Sequence, residues 1–200
     1  MMHLPTNLIE LIVKKISSYF GISLFAIANY AYAAPAHQHG KASLDIAIEH
    51  NKVLVSLESP LDNLLGFEHA PKTPAEIQLA KKMASTLMSK NGVITLPTAA
   101  NCKLSKVTLE SAAISAQYLG GKIAPEKENP FAESDNKPEN GHADLDGSFE
   151  FTCANIQAIS EIQVSLFQHF PHTQSVQVQL VSGKLQKAFT LTPKQNKIHF

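Results

Sequence analysis

At 200 residues the chain is long enough for one full-sized domain but short of two once a leader is subtracted. All 17 of its basic residues are Lys, they are matched by 17 Asp and Glu, and the formal net charge is zero. Such a chain offers nucleic acid neither a positive field nor the guanidinium fork that reads phosphates and base edges, so nucleic-acid binding is excluded as its main business.

The first segment reads as an export signal. Lys14 and Lys15 give a positive flank, an apolar run follows from Ile16 to Ala28, and small residues close it. Ala31-Tyr32-Ala33 and Ala34-Pro35-Ala36 both satisfy the A-x-A cleavage rule, so the leader is expected to span 1–33, with cleavage as late as 36. The apolar run is too short for a spanning helix, and the first Cys in the chain is Cys102, so neither a membrane anchor nor a lipidated thiol near the cleavage site is expected. An oxidising compartment, the periplasm, then favours a disulfide between Cys102 and Cys153, which closes a loop that stabilises by about 4 kcal/mol on the chain-entropy model.

Beyond the leader, Leu44, Ile46 and Ile48 alternate with polar residues over 42–49, His50-Asn51-Lys52 interrupts, and Val53 to Leu57 resumes, which predicts a β-hairpin ending at Ser59-Pro60. Gly66 to Pro71 reads as a turn. A helix is predicted over about 73–90: Thr73 supplies the N-cap hydroxyl, Pro74 the first helical position and Glu76 the capping box. Ile77, Ala80, Met83, Ala84, Leu87 and Met88 form its apolar stripe, and Asn91-Gly92 the stop. Short strands follow at 93–96 and 103–109.

The stretch 120–141 holds paired Gly, several Pro and mixed charges around one aromatic, Phe131, and reads as a long flexible surface loop. Strands are predicted again at 145–153 and 162–166, then a helical turn at 167–171. A hairpin closes the series, with Val176, Val178 and Leu180 on one strand and Phe189 and Leu191 on the other. The pattern is that of a single α+β domain over 37–200, built mainly on antiparallel sheet with one well-marked helix.

Three places could carry chemistry. His37 and His39 lie two apart, so an extended backbone sends both imidazoles to one side. In His142-Ala143-Asp144-Leu145-Asp146 the same period puts His142 and Asp144 on one face, joining nitrogen to carboxylate. Glu68 and His69 stand together in the turn before the helix. Donors of this kind suit zinc, copper or nickel. His50, His169, His172 and His199 lie at turns and ends without partner spacing and read as surface residues. No H-E-x-x-H, G-x-S-x-G, Walker or dinucleotide pattern occurs, so an enzyme is not expected.

His37-Gln38-His39-Gly40, the run from Glu58 to Pro71 with its S-P-x-x-N-x-x-G-F-E-H-A-P pattern, His142-Ala143-Asp144, Phe151-Thr152-Cys153-Ala154-Asn155 and Leu166 to Pro171 occur in one order. From His37 to the C-terminus they resemble the ZrgA-type family of zinc-regulated periplasmic proteins. The resemblance implies an exported zinc binder that assists an uptake permease. Many members carry a His-rich loop before the strand with the second Cys, whereas Gly120 to Gly141 here contains no His. The expected ligands are therefore His37, His39, His142 and Asp144, with His69 as an extra donor. The rival expectation is a metal-free periplasmic structural or adaptor domain whose His are incidental.

Overall fold

A computed structural model of the chain describes residues 38–121, 143–183 and 185–199. The expected leader, His37, His142 and all but the first two residues of the expected loop lie outside the described residues.

The hairpin forms as its alternation demands. Strand β1 (Lys41–Glu49) pairs antiparallel with β2 (Lys52–Pro60), with Leu44, Ile46, Val53, Val55 and Leu57 buried on one face. The chain then makes a short helix α1 (Leu61–Leu65) that alternation alone does not announce. Leu61 and Asn63 are buried in it, and Gly66 ends it with φ +81°, a left-handed conformation that favours glycine.

Helix α2 (Pro74–Leu87) starts as predicted. Thr73 Oγ1 accepts from the Glu76 backbone N–H, and the Glu76 carboxylate accepts from the Thr73 N–H. It stops at Leu87, a turn before the Asn91-Gly92 signal, and Met88 is exposed instead of continuing the stripe. Ala80, Met83, Ala84 and Leu87 are the buried face.

Strand β3 is only Ile94–Thr95, whereas β4 runs Cys102–Glu110 and β5 runs Asp144–Cys153. β6 (Glu161–Val164), a single-turn helix α3 (Leu166–His169), β7 (Ser175–Ser182) and β8 (Gln186–Leu191) follow the predicted order. A last strand, β9 (Lys197–His199), was not expected; at three residues with one buried position, Ile198, it has too little pattern to read.

The main sheet has six strands in the order β4-β5-β2-β1-β7-β8, and a second has three in the order β3-β6-β9. All pairs are antiparallel except β1 with β7, which is parallel. The pattern fixes which residues of β1 face the core but not which strand lies beside it. The chain reaches β7 only after passing through β6, a long crossover of the sort a parallel neighbour requires. The inner face of the main sheet, the α2 stripe and Ile94, Ile162, Val164 and Ile198 of the small sheet share one core. The fold is thus α+β on largely antiparallel sheet, as predicted.

Cys102 and Cys153 stand directly opposite each other on β4 and β5, with Cα atoms 3.9 Å apart, and form the expected disulfide. Cys153 N–H also donates to Asn51 O of the β1–β2 turn at 2.8 Å. Among the described residues no helix is long and apolar enough to cross a membrane.

Candidate metal centre

Four neighbouring strands of the main sheet share one end. There β1 begins, β2 ends, β5 begins and β7 begins, and Lys41 lies beside Ser175 while Pro60 lies beside Asp144. Segments distant in sequence are therefore brought together: 38–40 before β1, α1 and Gly66–Glu68 after β2, Ala143 and Asp144 at the start of β5, and 172–174 before β7.

Asn63 locks the first two of these segments. Its side chain is buried, accepts from Gly40 N–H at 2.6 Å, and donates to Lys41 O at 2.8 Å and Ser59 Oγ at 3.2 Å. A buried amide with its bonds made is a strong positioning device, because losing one partner strands the other. Leu61 N–H donates to Ala143 O at 2.8 Å, which ties the start of β5 to α1. Gln174 N–H donates to Gly40 O at 2.7 Å, which ties in the approach to β7.

His39 is held between two carboxylates. Its Nδ1 is 3.0 Å from Asp62 Oδ2 and its Nε2 is 3.6 Å from Glu68 Oε1. The hydrogen bond to Asp62, then the nearby charge of Glu68, raise the imidazole pKa above its ordinary value of 6.5. The two ring nitrogens point apart, so one cation cannot meet both acids through this ring. A cation can meet one of them: with Nδ1–H donated to Asp62, the Nε2 lone pair faces Glu68. Carboxylates that accept the far N–H of a ligating imidazole are the usual second support of zinc-bound His. Two donors bound to one tetrahedral zinc at nitrogen and oxygen distances stand about 3.4 Å apart. The 3.6 Å between Nε2 and Glu68 Oε1 is close to that spacing and longer than an ordinary N–H···O bond.

His172 is exposed, as read from the sequence, but it belongs to the same place, which its lack of partner spacing did not suggest. Its Nδ1 is 3.2 Å from Asp62 O, and a Cβ on Gly66 would come within 3.1 Å of its ring. The imidazole is thus seated over the glycine that ends α1. Spacing in sequence gave no sign of this, because 110 residues separate His172 from Asp62. Asp62 was missed for a similar reason: it stands in a helix too short to show a period.

The other expected ligands divide. His69 stacks on Phe67 with ring centroids 4.8 Å apart, its Nδ1 lies 3.0 Å from Ala70 O, and its charge acts on Glu76 at the start of α2. Asp144 opens β5, opposite Pro60 and half-buried, with its main-chain O accepting from Ser111 Oγ. His37 is two residues from His39, and His142 directly precedes Ala143. Among the described residues no group of three or more His, Cys, Asp or Glu is arranged to hold a metal ion. The donor types of His39, Glu68, Asp62 and His172, imidazole nitrogen and carboxylate oxygen, are nevertheless ones that zinc takes.

A sequence model described as a ZrgA family zinc uptake protein matches residues 36–200. No curated protein matches the chain.

Proposed function

The chain belongs to the ZrgA family of zinc uptake proteins, and on that premise we propose that it is exported to the periplasm, binds zinc at the strand-end cluster and passes it to an uptake permease. The observation that carries this reading is the His39 Nε2 to Glu68 Oε1 gap of 3.6 Å with Asp62 behind the ring. In this reading His39 and Glu68 supply two donors, and Asp62 fixes the tautomer. His172, His37, His142 and Asp144 are the candidates for the rest. The family match supports the link to zinc, and the disulfide suits an oxidising compartment such as the periplasm. The cargo is bound and released without chemical change, so no catalytic group is required.

The rival is a metal-free periplasmic adaptor domain, in which His39, Asp62 and His172 only tie strand ends together. Competition for zinc between a chromophoric chelator and the purified oxidised protein separates the two. One equivalent bound tightly, with affinity falling at least a hundredfold in His39→Ala and much less in His69→Ala, supports the zinc reading. Affinity unchanged in His39→Ala removes the site from His39, and absence of any zinc binding leaves the adaptor.

A further inference from the structure

At the opposite end of the fold a cleft of about 670 Å³ opens between the main sheet and the small one. That volume lies within the range of small-molecule sites, roughly 300–1,000 Å³. Its walls carry four aliphatic side chains, Ile48 at the end of β1, Ile156 and Ile159 from the turn before β6, and Leu185 at the entry to β8, beside the polar Gln157 and Ser182. Among the described residues the ionisable side chains that line it are His50, Lys187 and His199, with no carboxylate.

One of those groups is placed in a way that packing alone does not require. Lys187 stands opposite the buried Leu180 in the β7–β8 register, so it projects from the core-facing side of the sheet, where its ammonium rests 5.2 Å from the centre of the Phe189 ring. His50 has φ +52°, in the left-handed region that the tight β1–β2 turn between Glu49 and Lys52 calls for and that His enters more readily than most residues, and the turn carries its ring to the cleft. His199 reaches the cleft from β9, and its Nδ1 lies 3.6 Å from Glu161 Oε2, a carboxylate that it shares with Lys197 at 3.1 Å.

We infer that this cleft binds an amphipathic monoanion, an unbranched apolar chain bearing one carboxylate, with the chain against the aliphatic walls and the carboxylate between Lys187 and the two imidazoles. Apolar walls with a few convergent polar groups of one sign are what such a ligand requires. An inward Lys on an edge strand also hinders sheet-to-sheet aggregation, and that role alone predicts no ligand. The inference stands apart from the zinc site and survives or fails without it.

Decanoate is the probe. Titrated into the purified full protein and followed by methyl NMR, it should bind saturably and shift the methyl signals of Ile48, Ile156, Ile159 and Leu185. Lys187→Glu should weaken binding at least tenfold, and Lys187→Arg should retain it. His50→Gly, which suits the left-handed backbone, should weaken binding severalfold without lowering the melting temperature. Decanol should bind more weakly than decanoate. No saturable binding, shifts confined to the outer sheet face around Leu54 and Val181, equal binding of decanol, or decanoate affinity unchanged in Lys187→Glu would each overturn the inference.

Discussion

The two ends of the main sheet are held by different means. At one, β4 and β5 are joined covalently through Cys102 and Cys153, Cys153 N–H is bonded to the β1–β2 turn, and Lys52 Nζ meets Glu150 Oε1 at 2.7 Å. At the other, strand ends are tied by the Asn63 amide and by His39, Asp62 and His172. The first end fixes register and needs no ligand. The second presents nitrogen and carboxylate donors whose spacing a cation can exploit. A sheet closed firmly at one end can therefore display a polar site at the other without the strands slipping.

The largest effect should come from the covalent end. Cys102→Ser together with Cys153→Ser should cost about 2–5 kcal/mol in a denaturant melt. If the two ends act separately, the protein that remains folded should keep its zinc affinity within a few-fold; loss of zinc binding in step with stability would merge the two ends into one unit. Next is Asp62→Asn, which keeps the shape of the side chain but removes its charge. Zinc affinity should fall roughly 10- to 100-fold, the usual cost of losing an outer-shell partner, with little change in the melt. A stability loss with unchanged zinc affinity would make Asp62 a purely structural residue.

Smaller again is Thr73→Ala, which removes a capping hydroxyl and should cost about 1 kcal/mol. The backbone N–H of Lys72, then that of Thr73, hold the Glu76 carboxyl below its ordinary value of 4.5. Its contribution is therefore present above about that pH and lost as pH falls through the lowered value. Glu76→Ala should therefore destabilise the protein at pH 7 and do so less as pH falls through that lowered value; a loss independent of pH would contradict the carboxylate's part in the capping box.

The smallest effect concerns His39 in zinc-free protein. Its raised pKa means that its contacts with Asp62 and Glu68 stabilise fully below about 6.5 and fade as pH rises through the raised value. Solvent screens this exposed pair, so the sign is the test: NMR titration should place His39 above 6.5, and Asp62→Asn should bring it down. Zinc competes with that proton, so binding should strengthen as pH rises through the same range.

The firm end was legible in the sequence and the polar end only in part. Two Cys in a chain have one possible partner each, and Thr73-Pro74-Ala75-Glu76 specifies a helix start through contacts three residues apart. Leu44, Ile46 and Ile48 reveal a strand because burial repeats every second residue. His39 stood out through its neighbour His37, but nothing local couples it to Asp62, which is 23 residues away, or marks His172 as sitting over Gly66. The first pairing follows from the exact register of the β1–β2 hairpin and the second from strand order, above all the parallel β1–β7 neighbours, about which hydrophobic alternation carries no information. The glycine that seats His172 did appear within the run shared with the family, but its role is visible only once the two segments meet.

The central claim is that His39 takes zinc through Nε2 while Nδ1 stays protonated on Asp62. Long-range ¹H–¹⁵N NMR of the imidazoles, with and without one equivalent of zinc, reads this directly. The account predicts that the His39 Nε2 resonance moves to the metal-bound range while Nδ1 keeps its proton. A zinc-bound Nδ1, or a His39 ring unchanged by zinc that other histidines bind, would contradict it.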